Sequence, residues 1–149
     1  MTTPTLLFLL GPNLNMLGVR EPEIYGSQTL DDIKTMCANE AAKKGFSIEF
    51  HQSNHEGVLV ELIQNVVGKM HYQGVIINAA AYTHTSIAIH DALKMVSCPV
   101  IEVHHSDPST REDFRHISYI EPLAAKVFKG NGAQGYVSAI ESIAEMHSL

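Results

Sequence analysis

A carboxylate and an imidazole stand two residues apart, as Glu102 and His104, in the apolar run PVIEVHH. Alternate side chains of a strand leave the same face, so this spacing brings the two groups together. A carboxylate beside an imidazole fixes its tautomer and favours the protonated ring, which suits a general acid. A surface salt bridge is the plainer reading, but a charged Glu inside an apolar strand is costly unless it is paired. A second pair lies on the loop GPNLNMLGVREPEIYG, Gly11–Gly26, which carries Arg20 and Tyr25. Two to six residues would connect a strand to a helix, so a loop this long and rich in Gly and Pro suggests an active-site segment. Gly18 and Gly26 would serve as its hinges. A guanidinium beside the phenol would help it act as a base. Bringing a group that ionises near ~10 down to neutrality takes about 3–4 kcal/mol. A solvated arginine and a packing tyrosine remain the alternative for this loop taken alone.

Three further stretches hold unusual polar residues. Asn78 ends the apolar run VIIN, and the small residues 79–81 would let a ligand approach the backbone. His84 stands ahead of a helix start, where an anion near Ser86 would meet the helix N-terminus. HQSNHEG, His51–Gly57, reads as a polar turn in which Ser53 or Asn54 caps the following helix. The formal charge of −6 argues against nucleic acid as a partner. An anionic substrate would then be gathered locally by arginines, with Arg20, Arg111 and Arg115 available. Nine histidines invite a metal reading, but no thiolate lies near them and His84 and His90 are six apart, so no metal site is expected. A serine-type triad lacks its G-x-S-x-G elbow. Gly130–Gly135 fits G-x-G-x-x-G, yet the sequence ends at Leu149, short of the acidic residue such a site places about twenty positions on. A tight glycine turn is expected there instead.

The elements that must position these groups alternate between strand and helix. Thr5–Leu10 is a continuous apolar run of the kind buried on both faces, and it reads as a strand, not a signal peptide. Thr29 and Asp32 resemble a capping box for a helix with Leu30, Ile33, Cys37 and Ala41 on one stripe and Gly45 at its end. Phe46, Ile48 and Phe50 alternate as in a strand. Val58, Leu59, Leu62, Ile63, Val66, Val67 and Met70 mark a broad helical stripe. Val75–Asn78 is a third strand, and Ala88, Ile89, Ala92, Leu93 and Val96 mark a third helix whose outward side holds His90, Asp91 and Lys94. Pro99–His104 and Ala125–Lys129 supply two more strands, and Tyr136–Met146 a last helix. Residues 1–149 would form one domain. Five such repeats imply an α/β fold: a flavodoxin-like, five-stranded parallel sheet in the order 2-1-3-4-5, with helices on both faces. Ligands of such folds bind beyond the carboxyl ends of the strands, which is where the four segments fall. No run is apolar enough to span a membrane. Cys37 and Cys98, far apart and without CxxC spacing, read as buried free thiols of a reducing, cytoplasmic setting.

These blocks together resemble the type II 3-dehydroquinate dehydratases over essentially the whole chain. The carriers are GPNLNMLGVREPEIYG, QSNHEG, Asn78 with YTHTS, IEVH followed by Ser106, REDFRHISY and GAQGY, in order and at matching spacing. The resemblance implies a hydro-lyase that converts 3-dehydroquinate to 3-dehydroshikimate and water in the shikimate or quinate route, without cofactor or metal. By it Tyr25 removes a C2 proton to give an enolate, and Arg20 supports the tyrosinate. Asn13 would hold a water that bridges to the enolate oxygen. His104, steered by Glu102, would protonate the departing hydroxyl. Asn78, His84, Ser106 and Arg115 would bind substrate, with backbone amides at His105 and Ser106 helping. Asp91 would reach a neighbouring subunit's site in a trimer, four of which would form a homododecamer.

Several positions depart from the family pattern: Leu10 for an asparagine, Ala79-Ala80 for Pro-Gly, His90 for arginine, His105 for an apolar residue and Asp107 for asparagine. Because His105 and Asp107 flank the carboxylate site, a paralogue with altered specificity is one alternative. A non-catalytic flavodoxin-like binding module is another.

Overall fold

The computed structural model describes residues 3–19 and 28–148. Its strands and helices alternate as β1 (Thr5–Leu10), α1 (Leu30–Lys43), β2 (Ser47–Gln52), α2 (Glu56–Gln64), β3 (Tyr72–Asn78), α3 (Ile87–Leu93), β4 (Val100–His104), β5 (Lys126–Lys129) and α4 (Gln134–His147). All strand pairs are parallel and the sheet order is β2-β1-β3-β4-β5, the flavodoxin-like arrangement expected from the sequence. Strand order reverses between β1 and β3, which opens a crevice at their carboxyl ends.

Period-two alternation divides the core. Leu6, Phe8 and Leu10 of β1 join Ile76, Ile101 and Val103 under α1 and α4, through Ile33, Cys37, Tyr136 and Ile140. Leu7 and Leu9 face the opposite way and join Val75, Ile77 and Val100 under α2 and α3, through Leu59, Ile63, Ile89 and Leu93. Every residue of β1 is buried, as a strand covered on both faces requires. Each fully buried Leu, Ile or Phe contributes roughly 1.5–3 kcal/mol. The same alternation sends Glu102 and His104 away from the face that Ile101 and Val103 occupy.

The capping box is present. Asp32 N donates to Thr29 Oγ1 at 3.1 Å, and Thr29 N donates to Asp32 Oδ2 at 3.0 Å. A cap of this kind is worth about 1 kcal/mol. Gly45 follows α1 with φ 85°, the left-handed exit that glycine favours.

Two expectations about helices need correction. The stripe from Val58 to Met70 is not one helix: α2 ends at Gln64, and Val58, Val67 and Met70 are 41%, 39% and 86% exposed. Val66, 4% exposed, still packs with Leu59 and Ile63, but Val67 and Met70 leave that face as Gly68, at φ 77°, turns the chain toward β3. Ala88 is exposed as well, because the seven-residue α3 buries only Ile89, Ala92 and Leu93. Cys37 is free and buried, which pushes its thiol up to about 12, while the free Cys98 is only partly buried. Among the described residues no helix is long and apolar enough to cross a membrane.

Candidate active site

The carboxyl ends of β1, β3 and β4 surround a cavity of about 140 Å³. At 10–15 Å³ per water it has room for about ten, or for one small molecule. Its walls come from the Pro12–Leu17 turn after β1, from Asn78 to His84 after β3, and from His104 to Arg115 after β4. Close approach of two strand ends builds the first wall. Gly11 N donates to Asn78 O at 2.8 Å, and a Cβ on Gly11 would sit 2.2 Å from the Ala79 carbonyl oxygen, so only glycine fits.

β2 braces that wall. Gln52 Nε2 donates to Gly11 O at 3.1 Å and to Asn54 Oδ1 at 3.2 Å, and Asn54 Oδ1 also accepts from Asn13 N at 3.0 Å. Asn13 itself stands at φ 72°, a left-handed conformation that asparagine tolerates. The expectation that Ser53 or Asn54 caps α2 is therefore wrong. His55 occupies the cap position without a side-chain capping bond, and the Asn54 side chain is turned to the Asn13 loop.

At the end of β4, His104 Nε2 and Glu102 Oε2 lie 2.5 Å apart, with His104 7% and Glu102 1% exposed. The expected pair therefore forms, and it is buried. Ser118, far along the chain, donates its Oγ to the same Glu102 oxygen at 2.8 Å. Nε2 faces the carboxylate, which leaves Nδ1 as the His104 nitrogen available to a ligand. His84 Nδ1 donates to the Ile117 carbonyl at 2.7 Å. Burial lowers the His84 pKa, so the neutral ring keeps Nε2 as an acceptor.

Charge at the mouth comes from Arg111 and Arg115, both lining the cavity. Arg111 Nη1 donates to Ser106 Oγ at 3.4 Å, and Arg115 Nε donates to Glu112 Oε1 at 3.0 Å. Two guanidinium groups beside a pocket favour an anionic ligand despite the negative net charge. Asp107, whose extra charge flanks this region, is engaged elsewhere. Its Oδ1 accepts from Ser109 N at 3.0 Å and Ser109 Oγ at 2.7 Å, and these bonds hold its carboxyl below the usual range.

Of the residues singled out in the sequence, Asn13, Asn78, His84, His104, His105, Ser106 and Arg115 line this one cavity. Glu102 lies behind His104, lining a smaller adjoining cavity. Arg20 and Tyr25 lie outside the described residues. Asp91 is exposed on α3 and is not part of the lining. Ser86 does not serve as an anion site: it is 1% exposed, and its Oγ accepts from Ile89 N at 2.9 Å as the α3 cap. Sequence reasoning missed Ser118 and Tyr136 as individual residues. Ser118 reaches Glu102 from a loop 16 residues on, and Tyr136 reaches Asn78 across 58 residues, separations that no local pattern signals.

The model of the family described as dehydroquinase class II matches residues 4–144. A 3-dehydroquinate dehydratase of Marinomonas sp. (strain MWYL1) is 51% identical, covering 97% of each chain. The type II dehydroquinase of Propionibacterium acnes superposes with a TM-score of 0.91 at 36% identity, over 97% of this chain and 98% of the other. That of Butyrivibrio crossotus superposes with a TM-score of 0.90 at 42% identity, over 95% and 97%. The sheet order, the nearly full-length match and these superpositions agree: the chain belongs to the class II dehydroquinase family.

Proposed function

We propose that this chain dehydrates 3-dehydroquinate to 3-dehydroshikimate and water, by an anti elimination through an enolate. The observation that carries the reading is the buried Glu102–His104 pair at the floor of a cavity with Arg111 and Arg115 at its mouth. The family match and the many relatives named 3-dehydroquinate dehydratase support the substrate.

The proton on C2 is acidified by the adjacent C3 ketone. Tyr25, its phenolate favoured by Arg20, takes that proton, and the electron pair moves into the carbonyl to give the enolate. A water held by Asn13 donates to the enolate oxygen. As the enolate collapses, the C1–O bond breaks and His104 passes its Nδ1 proton to the leaving hydroxyl. Water departs and the C1–C2 double bond forms. Glu102 holds the other nitrogen throughout, so the ring presents one face only. The step involves no net oxidation or reduction, so a base, an acid and donors for anionic oxygens suffice.

Asn78, His84, Ser106 and Arg115 bind the ring hydroxyls and the carboxylate, with the backbone amides at His105 and Ser106. Asp91, exposed and away from the cavity, would serve a neighbouring subunit's site in a trimer, with four trimers in the full assembly. The reaction would belong to the shikimate or quinate route, in the cytoplasm.

The product is a conjugated enone and the substrate is not. Adding 3-dehydroquinate to the purified protein should raise ultraviolet absorbance catalytically. A flat trace at micromolar enzyme would overturn the reading, and a protein that purifies yellow would point to a flavin-binding module instead.

A further inference from the structure

His104 and His105 are adjacent, so the pleat sends their side chains to opposite faces of the sheet, yet both line the same cavity. His105 lies on the α4 side. Its ring meets the Tyr136 ring edge-on, at 84° and 5.4 Å between centroids. Its Nε2 is 2.9 Å from Tyr136 Oη, and Tyr136 is completely buried. On the other side of that oxygen, Asn78 Nδ2 stands at 3.0 Å.

The direction of every proton in this chain follows from one anchor. Ala80 N–H donates to Asn78 Oδ1 at 3.1 Å, which settles which end of the amide is oxygen. Asn78 therefore points its NH₂ at Tyr136, and the phenol oxygen accepts. Tyr136 has a single proton left to place, and within hydrogen-bond reach His105 Nε2 is its acceptor among the described residues. The opposite assignment would leave a buried hydroxyl proton without an acceptor, a substantial penalty. Nε2 is thus bare, and the neutral ring carries its proton on Nδ1. Burial lowers the His105 pKa to about 4, so the neutral form prevails at physiological pH. Nδ1–H has no hydrogen-bond partner among the described residues, on a side chain that lines the cavity beside Ser106.

We infer that His105 is a specificity-determining and positioning residue of this site: through Tyr136 it holds the Asn78 amide in place, and it offers Nδ1–H as a donor to the anionic end of the substrate. The inference rests on the dehydratase reading above, and it adds a side-chain contact to the backbone amides already assigned to this segment.

The test combines kinetics with a measurement that does not depend on turnover. His105→Phe keeps an aromatic ring but neither nitrogen, and should raise KM for 3-dehydroquinate about tenfold or more while kcat changes far less. His105→Gln can accept from Tyr136 at one end and donate into the cavity at the other, and should recover most of that loss. Tyr136→Phe should raise KM as well, and the double variant Tyr136→Phe/His105→Phe should be little worse than the poorer single one, since both break the same chain. Additive losses, or a Gln variant no better than Phe, would overturn the inference. Nitrogen-15 spectra of the wild-type imidazoles should show His105 protonated at Nδ1 and bare at Nε2. The reverse tautomer would overturn it even if every variant misfolded. A wild-type protein without turnover would instead overturn the dehydratase reading, with the tautomer still measurable.

Discussion

Ser118 Oγ donates to Glu102 Oε2 at 2.8 Å, on the same oxygen that faces His104. The hydroxyl also accepts from Ile120 N and Glu121 N, at 3.2 and 3.0 Å, which locks its rotamer. Ser118 therefore fixes the carboxylate that fixes the imidazole. A hydrogen bond to a charged group is worth roughly 1.5–3 kcal/mol, or about tenfold to a hundredfold. Ser118→Ala should lower kcat by about tenfold with KM nearly unchanged. Equal changes in kcat and KM, or none, would show that Glu102 holds His104 without help.

Ala80 and Gly11 give opposite expectations for stability. Ala80 sits at φ 52°, where a side chain costs about 1–2 kcal/mol that glycine avoids. Glycine gives back roughly 0.5–1 kcal/mol through the unfolded chain. Ala80→Gly should therefore gain about 0.5–1 kcal/mol, or roughly 2–3 °C in Tm. Gly11→Ala would drive a Cβ to 2.2 Å from Ala79 O and should lose about 3 kcal/mol or fail to fold. Thermal melts of the two variants check both signs.

Much of the fold was legible because β1, β3 and β4 are buried on both faces and read as apolar runs, and because Thr29 and Asp32 announce the start of α1. The end of α2 was not legible. Val67 and Met70 continue its apolar spacing, although the helix has ended at Gln64 and the chain turns at Gly68. In the site, Glu102 and His104 could be paired from two-residue spacing alone. The roles of Asn54, Ser118 and Tyr136 could not, because the first follows β2, the second lies on a loop before β5 and the third on α4, and such meetings are set by the tertiary fold and not by local pattern.

Acid should destabilise the protein through His105. The unfolded imidazole titrates near 6.5 and the folded one near 4, so between those values the unfolded chain binds more protons. Stability from this group is complete above pH ~6.5 and is lost as the pH falls toward 4, by up to roughly 3 kcal/mol. Denaturant unfolding of wild type and His105→Leu across pH 7 to 4 should show the wild type losing more. Parallel curves would contradict the burial of a neutral ring.

Asp91 is exposed on α3, away from its own cavity. If it completes a neighbour's site, Arg20→Ala and Asp91→Ala should each be nearly inactive alone. Unfolding and refolding them together should restore a measurable fraction of activity, through sites that draw Arg20 and Asp91 from different chains. A mixture with only the sum of the two residual rates would make Asp91 ordinary surface charge.

The proposed dehydration requires the buried Glu102–His104 pair to deliver the proton that expels water from 3-dehydroquinate. The most direct measurement follows enone absorbance for wild type and His104→Ala side by side, with substrate binding to the variant measured by calorimetry. The wild type should form enone steadily. The variant's kcat should fall by at least ~1,000-fold, in the range expected for loss of a positioned acid, with Kd for the substrate within about tenfold. A His104→Ala enzyme that turns over within tenfold of its parent would contradict it.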